Sequence, residues 1–315
     1  ITLGQNITVG NLSITDDNNY TIKGNTLTFD INTGTAATLA VSGGGDPIIQ
    51  SAVTLNDNIS ISSASGSNLS ITGAFTGNNH SITVAGAGNT ALTGGTTTTG
   101  ALIKNDGGTL TIGGSSNSSF GSVTVNKGTV LLDAGSSKTA VTSGNITVNS
   151  GGTVLLGANN QIGNTVNMVL NGGTFSTGDT VGYSETLGTL TLSANSVIDL
   201  GTGSDALVFA ASNGISWTGT LTITGWVGTA GSHGGGTQGE IFFGSSAGTL
   251  TSTQLSKIDF TGFGQGALLL SNGQLVPMAA VPEAKVAFGV LLLVGGIFWQ
   301  ERRRIFSFFH KAPVA

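Results

Sequence analysis

The chain of 315 residues contains no cysteine, only four prolines and few charged side chains, which together make up 8% of it. The absence of cysteine excludes disulfides and thiolate metal sites. Residues 1–280 contain no arginine, and their 13 acidic residues outnumber five lysines, giving a net charge of −8. Binding to a nucleic-acid backbone needs clustered basic residues, so we expect no nucleic-acid partner.

Aromatic residues are also scarce, with seven in residues 1–214, and no proline occurs between Pro47 and Pro277. The 52 glycines do not indicate disorder, because the chain is 38% hydrophobic and disordered chains usually combine low hydrophobicity with high charge. The sequence therefore predicts an ordered protein built from thin, repeated layers.

A repeat of about 20 residues runs through this body, which is typical of a solenoid. In the stretch 107–135, "GGTLTIGGSSNSSFGSVTVNKGTVLLDAG", alternating β-branched and polar residues between turn formers indicate short, half-buried strands. Gly-Thr pairs, from "GGTLTI" to "AGTLTS", recur unevenly at positions 108, 128, 152, 173, 188, 219 and 248. Stacked turns would bury one narrow core, with Asn and Thr ladders and glycine corners. An antiparallel sandwich is the alternative.

Residues 215–277 differ in composition, since they carry six aromatics: Trp217, Trp226, Phe242, Phe243, Phe260 and Phe263. A solenoid end exposes apolar core and unpaired strand edges. We therefore divide the body into a β-helix repeat region, 1–214, and an aromatic-rich C-terminal β cap module, 215–277.

Residues 278–315 form a tail of opposite charge, with five basic residues and two acidic ones. The 14 residues from Val286 to Trp299 are uncharged, and as a helix they would span roughly 21 Å. We predict one C-terminal transmembrane helix at about 284–300, because a basic cluster at 302–304 follows and would keep residues 1–280 outside the cytoplasm. A buried core helix or an amphipathic segment is the alternative.

The body resembles a known family. Stretch 107–135 is similar to the autotransporter-associated β-strand repeat. The stretches 157–201 and 250–277 are similar to large exported repeat proteins with a PEP-CTERM tail. The resemblance implies a right-handed parallel β-helix at the cell surface or in the extracellular matrix, without known catalytic residues.

The tail resembles the PEP-CTERM sorting signal in its order of Pro-Glu, apolar helix and arginine cluster. By this resemblance Val281, Pro282 and Glu283 form the recognition and processing motif, and Arg302, Arg303 and Arg304 form the membrane stop. The resemblance implies that an exosortase-type enzyme is the processing partner. The precursor would be anchored in the inner membrane and then sorted to the cell surface or matrix. Since the chain starts at Ile1 without methionine, we expect the C-terminal portion of a longer exported precursor.

Patterns for catalysis, cofactors or metals are missing from the sequence. The three histidines, His80, His233 and His310, lie far apart, and the acids are mostly isolated. In "TDDNNY", 15–20, the Asp and Asn residues lack calcium-loop spacing and are typical of turns. We therefore predict no enzyme, no cofactor and no metal.

Two function classes besides catalysis remain open. The first expectation is an exported structural protein whose hydroxyl-rich surface contacts extracellular polysaccharide. The alternative is an adhesin-like passenger that binds glycans or other cells, which exposed aromatic platforms at Trp217 and Trp226 would favour. A β-helical polysaccharide-active enzyme is the least favoured reading.

Overall fold

The computed structural model describes residues 1–32, 34–232 and 239–279. These residues form an all-β parallel solenoid of about 10 turns, with 31 strands and one helix of four residues. Residues Ile1–Met278 make up one compact unit. The predicted transmembrane helix, 284–300, and all six sorting-signal residues lie outside the described residues.

In chain order the strands are β1 Thr2–Leu3, β2 Ile7–Val9, β3 Asn11–Ile14, β4 Thr21–Gly24, β5 Leu27–Phe29, β6 Ala37–Val41, β7 Ile48–Ile49, β8 Val53–Leu55, β9 Ile59–Ser63, β10 Asn68–Ile71, β11 Phe75–Asn78, β12 Ile82–Ala85, β13 Asn89–Leu92, β14 Thr96–Thr98, β15 Ala101–Lys104, β16 Thr109–Gly114, β17 Ser122–Val125, β18 Gly128–Ala134, β19 Asn145–Asn149, β20 Gly152–Leu156, β21 Met168–Asn171, β22 Thr174–Ser176, β23 Glu185–Leu187, β24 Leu190–Ala194, β25 Ser196–Asp199, β26 Ala206–Phe209, β27 Leu221–Thr224, β28 Glu240–Phe243, β29 Ile258–Phe260, β30 Ala267–Leu269 and β31 Gln274–Pro277. The helix is α1, Ser252–Leu255.

The strands belong to four sheets that run along the solenoid. Sheet I contains β1, β4, β7, β10, β13, β16, β18, β20, β22, β25, β27 and β29; sheet II contains β3, β6, β9, β12, β15, β17, β19, β21 and β24. Sheet III contains β2, β5, β8, β11 and β14, and sheet IV contains β23, β26, β28, β31 and β30. One turn, for example β10, β11 and β12, gives one strand to each of the first three sheets. The parallel pairing excludes the antiparallel sandwich.

Sheets III and IV both lie on the third side of the solenoid, and irregular backbone connects them. After β14 the pairing continues as single bridges, Thr97 to Ser119 and Val141 to Ile162. Beyond these, the Asn160 amide donates to the Ser184 carbonyl oxygen at 3.1 Å. The third side of the solenoid therefore continues, but without regular strands in its middle turns.

The Gly-Thr repeat is confirmed as a stacking register only in the central turns. Thr109, Thr129, Thr153 and Thr174 pair in succession in sheet I, so the first four Gly-Thr pairs lie directly above one another. Thr174 then pairs with Val197. The next Gly-Thr pair, at 188–189, directly precedes β24 in sheet II. The short step from position 173 to position 188 thus joins two sheets of the solenoid rather than two turns.

The core is a single hydrophobic cluster that runs along the solenoid axis, as the sequence predicts. Inward side chains stack in rows, and one row in sheet I runs through Leu110, Val130, Val154, Phe175, Ile198, Ile223 and Phe260. Each of these is at most 1% exposed. Complete burial of such a side chain stabilises a fold by about 1.5–3 kcal/mol. Short aliphatic residues suffice because each one packs against the turns above and below it.

Asparagine ladders join the turns, and this expectation is also confirmed. The Asn126 amide donates to Asn105 Oδ1 at 2.8 Å, Asn149 donates to Asn126 at 2.6 Å, and Asn171 donates to Asn149 at 2.8 Å. A second ladder runs from Asn89 to Asn68 to Asp46. The inner members, Asn126, Asn149 and Asn68, each donate to one turn and accept from the next, so these corners are held in register.

Some corners accept only glycine. Gly128 has a φ of +75°, a region that L side chains rarely adopt. A Cβ atom there would lie 2.4 Å from the Asp106 carbonyl oxygen of the preceding turn. Both the conformation and the close approach therefore require the glycine.

The parallel stacking continues into residues 215–279 through β27, β28 and β29 and ends at β31 and β30. Strand β28 stacks on β26, but β31 pairs antiparallel with β28, and β30 pairs antiparallel with β31. Trp217 and Trp226 are 5% and 6% exposed. Trp217 Nε1 donates to the Leu190 carbonyl oxygen at 2.9 Å, and Trp226 packs edge-on against Phe260 and Phe263.

The first asparagine ladder should contribute measurably to stability. Asn126→Ala removes one donated and one accepted hydrogen bond, so we expect a loss of about 2 kcal/mol, measured from the midpoint of chemical denaturation. Asn164→Ala, in an exposed turn, is the control and should change stability by less than about 0.5 kcal/mol. Equal effects of the two substitutions would contradict a stabilising ladder.

Candidate functional site

None of the six residues assigned to the sorting signal, Val281–Glu283 and Arg302–Arg304, falls within the described part of the chain. Among the residues that are described, no helix is long and apolar enough to cross a membrane. The transmembrane and sorting assignments therefore stay predictions. The described body offers other chemistry-bearing groups, which lie mainly on the side formed by sheets III and IV.

Glu185, at the start of β23, is the most enclosed carboxyl group among the described residues and is 1% exposed. Its Oε2 accepts the backbone amides of Gln161 at 2.5 Å and Ile162 at 3.0 Å, and its Oε1 accepts that of Thr186 at 3.0 Å. Burial raises the pKa of Glu185 to about 7, although these amide donors oppose the shift. The Glu185 side chain thus satisfies the two backbone amides at 161–162, which form no strand pairing with β23.

Asp205 is a second buried acid, in the turn before β26, and is 6% exposed. Neither of its carboxylate oxygens has a hydrogen-bond partner in the described part of the chain. Burial raises its pKa to about 6, and the nearby Glu240 carboxylate adds to the shift, while the proximity of the Thr177 hydroxyl opposes it. That hydroxyl itself donates to the Asp199 carbonyl oxygen at 3.4 Å. Glu240 accepts the Gln274 side-chain amide at 3.0 Å.

These acids do not form a hydrolytic pair that a substrate could reach. Glycoside hydrolysis needs two carboxyl groups on either side of an accessible bond. Glu185 and Asp205 are both enclosed by neighbouring turns, and Glu185 already accepts three backbone amides. Sequence reasoning grouped them with the isolated acids and missed their burial. The only signal was that apolar strand residues lie close by, Leu187 after Glu185 and 206–209 after Asp205.

Lys104 is a buried cation inside the solenoid, 1% exposed. It stands between Val84 and Val125 in an inward row of sheet II. Its Nζ donates to the carbonyl oxygens of Asn105, Asp106 and Lys127. Burial lowers the pKa of Lys104, and the Asp106 carboxylate partly offsets this. Because it faces the core, Lys104 is not placed to act as a base on an external substrate. Alternation along β15 could have revealed its inward position.

The segment 15–20 connects β3 to β4 through a bend at 16–18, where the sequence indicates a turn. Tyr20 donates its hydroxyl to Asp16 Oδ2 at 2.6 Å, and the Asn18 amide donates to Asp16 Oδ1 at 2.9 Å. Both bonds, that from Tyr20 first, lower the pKa of Asp16. Within residues 1–32, 34–232 and 239–279, no three His, Cys, Asp or Glu residues are grouped as metal ligands would be. His233 and His310 lie outside these ranges.

The burial of Trp217 and Trp226 removes one argument for an adhesin. Exposed aromatic rings would have provided platforms for sugar rings, but both indoles are packed among core residues. The aromatic-rich composition of 215–277 therefore reflects packing at this end of the solenoid.

A surface groove of about 410 Å³ crosses four turns where sheet III ends. Ten residues line it, and six of them bear hydroxyls: Thr76, Thr97, Thr98, Thr99, Ser119 and Ser143. The others are Asn78, Phe120 and two glycines, so no charged side chain contributes. We name this feature the hydroxyl groove. Sequence reasoning did not locate it, because it depends on the break in strand pairing after β14.

A larger groove of about 620 Å³ lies near α1, and Leu255, Leu268 and Met278 contribute to its lining. It is mainly apolar and contains no charged side chain. A smaller one of about 270 Å³ lies beside Ile1 and Tyr20 at the N-terminal end. Neither groove brings together groups with an evident chemical role.

Comparison with known proteins finds no matching family model, no matching curated protein and no matching solved structure.

The buried acid Glu185 should make stability depend on pH. A carboxyl whose folded pKa of about 7 exceeds its unfolded value of 4.5 favours folding in its protonated form. Its contribution is complete below pH 4.5 and is lost as the pH rises through 7, a change of about 3 kcal/mol. We expect the unfolding free energy to fall over this range, and Glu185→Gln to flatten the decline. Asp205 acts in the same direction, so some slope remains.

The control for this experiment is Asp179→Asn, which alters an exposed acid. Denaturation curves at several pH values should show that the unfolding free energy of this variant depends on pH as it does in the unsubstituted chain. If the unfolding free energy of Glu185→Gln fell with pH as steeply as that of the unsubstituted chain, titration of Glu185 would be ruled out as the cause of the decline.

Proposed function

We propose that this chain is an exported, non-catalytic structural protein of the cell surface or extracellular matrix. The observation that carries the proposal is the parallel solenoid of about 10 turns, in which one apolar core runs through the stacked turns and asparagine ladders join some of them. Such stacking gives an elongated body from small, repeated residues. The enclosure of Glu185, Asp205 and Lys104 supports a role without catalysis, since those groups serve internal packing.

The proposal includes finer features of the fold. We propose that the solenoid winds to the right and that 215–277 act as its C-terminal cap. The antiparallel strands β30 and β31 support this assignment, because they end the parallel pairing to which a further turn would add. The buried Trp217 and Trp226 support it as well, since they cover core that would otherwise be exposed at this end.

The proposed route outward depends on the tail. We propose that 284–300 cross the inner membrane, with Arg302–Arg304 on the cytoplasmic side. An exosortase-type enzyme would then recognise Val281, Pro282 and Glu283 and release the body. Pro282 supports this because proline disfavours helix at the preceding residue, so a protease could reach the linker. The support comes from the sequence pattern alone.

An adhesin-like passenger is the second candidate. The hydroxyl groove favours it, because a cluster of threonine and serine side chains provides hydrogen-bonding groups for a glycan. A structural protein of a polysaccharide matrix and an adhesin both require this contact, and they differ in whether the ligand belongs to the same cell.

Processing of the tail gives the direct test. Intact mass spectrometry of the protein secreted by its native host should show a C-terminus near Pro282–Glu283. Glu283→Gln should reduce processing, because it removes the charge of the recognition motif, whereas Glu301→Gln should not. A mature protein that retains 286–315, or equal effects of both substitutions, would contradict the proposed sorting.

A further inference from the structure

The hydroxyl groove continues a row of outward side chains on sheet III. Thr8, Thr28, Thr54, Thr76, Thr97 and Ser119 pair in succession from turn to turn. Neighbouring strands lie about 4.8 Å apart, so the row extends roughly 24 Å along the axis. The last three members line the groove. An extended ligand could therefore lie on the row and enter the groove at its end.

The groove arises from a local irregularity of the backbone. The pairing of β11 with β14 shifts register between Thr76 and Asn78. Asn78 has a φ of +51°, an uncommon value for a residue with a side chain. Beyond β14 the next turn is joined through the single bridge from Thr97 to Ser119. The groove lies at this break, whereas the neighbouring strands of sheets I and II keep a regular register.

The outer side chains of the row are available to a ligand. The hydroxyls of Thr76, Thr97 and Ser119 make no hydrogen bond within the described part of the chain, and Thr76 and Thr97 are exposed. By contrast, Thr98 donates to the His80 carbonyl oxygen at 2.8 Å, and Ser143 donates to that of Phe120 at 3.2 Å. The groove thus combines free hydroxyls with others that fix its walls.

The backbone of the groove is already paired, which argues against a peptide ligand. The Thr98 amide donates to the Ser119 carbonyl oxygen at 3.0 Å, the Ser119 amide to that of Thr96 at 2.8 Å, and the Thr99 amide to that of Asn78 at 2.7 Å. A peptide that adds a strand needs a free sheet edge. The absence of charge in the lining likewise disfavours an anionic or cationic chain.

We propose that the hydroxyl groove, together with the threonine row, binds a neutral polysaccharide chain that runs along the solenoid axis. Sugar hydroxyls would exchange hydrogen bonds with Thr76, Thr97 and Ser119. The C–H faces of the rings would pack on the threonine methyl groups. This inference rests on the proposed function in one respect, since the ligand is available only if the solenoid lies outside the cell.

The test uses the full chain, purified in mild detergent, by affinity electrophoresis in gels that contain dextran, laminarin, xyloglucan or alginate. At least one of the three neutral polymers should retard the chain, and the acidic alginate should not. Thr97→Arg places a bulky charge in the groove and should weaken binding at least about tenfold. Thr147→Arg, on the outward side of sheet II, adds the same charge elsewhere and should keep affinity within about twofold.

A second variant keeps the test decisive if Thr97→Arg does not fold, as judged by circular dichroism. Thr76→Ala combined with Thr97→Ala removes only exposed hydroxyl and methyl groups and should also weaken binding. The inference is overturned if no neutral polymer retards the chain, if alginate binds more tightly, or if Thr147→Arg loses as much affinity as the groove variants. Processing of the tail is measured separately, so the failure of one proposal is not mistaken for failure of the other.

Discussion

Register between successive parallel turns is the constraint on which the rest of this structure depends. Every inward row, every asparagine ladder and every glycine corner requires that equivalent residues lie directly above one another. The backbone hydrogen bonds of each strand point to the neighbouring turns, so no turn completes its pairing or buries its apolar face alone. The unusual composition follows from this. Many small contacts repeated along an axis replace the large aromatic core and the charge network of a globular domain.

Two buried polar groups satisfy backbone atoms that strand pairing leaves without partners. Glu185 accepts three backbone amides beside the irregular segment at 161–162, and Lys104 donates to carbonyl oxygens at a corner that an aliphatic side chain would leave unsatisfied. Their pKa shifts are consequences of this packing. A perturbed pKa often marks an active site, but Glu185 and Lys104 are each only 1% exposed. The hydroxyl groove lies at a different irregularity, where pairing shifts register between Thr76 and Asn78 and continues only as the bridge from Thr97 to Ser119.

The proposed roles divide between the two parts of the chain. The body would provide length, a continuous core and a neutral hydroxyl surface, while the tail would provide export and release. The burial of Trp217 and Trp226 shifts the question of glycan contact from aromatic platforms to threonine hydroxyls. A structural protein and an adhesin can share such a surface, because both contact polysaccharide without altering it.

The sequence by itself determined the solenoid class, the slender aliphatic core and the ladders, because alternation and turn residues act locally. It also suggested the sorting tail, which no described residue tests. Only the tertiary structure decided that the step from position 173 to position 188 joins two sheets, that Glu185, Asp205 and Lys104 are enclosed, and that a groove forms beside Thr97. Those features depend on which turn lies above which, and irregular turn lengths leave that register undefined in the sequence.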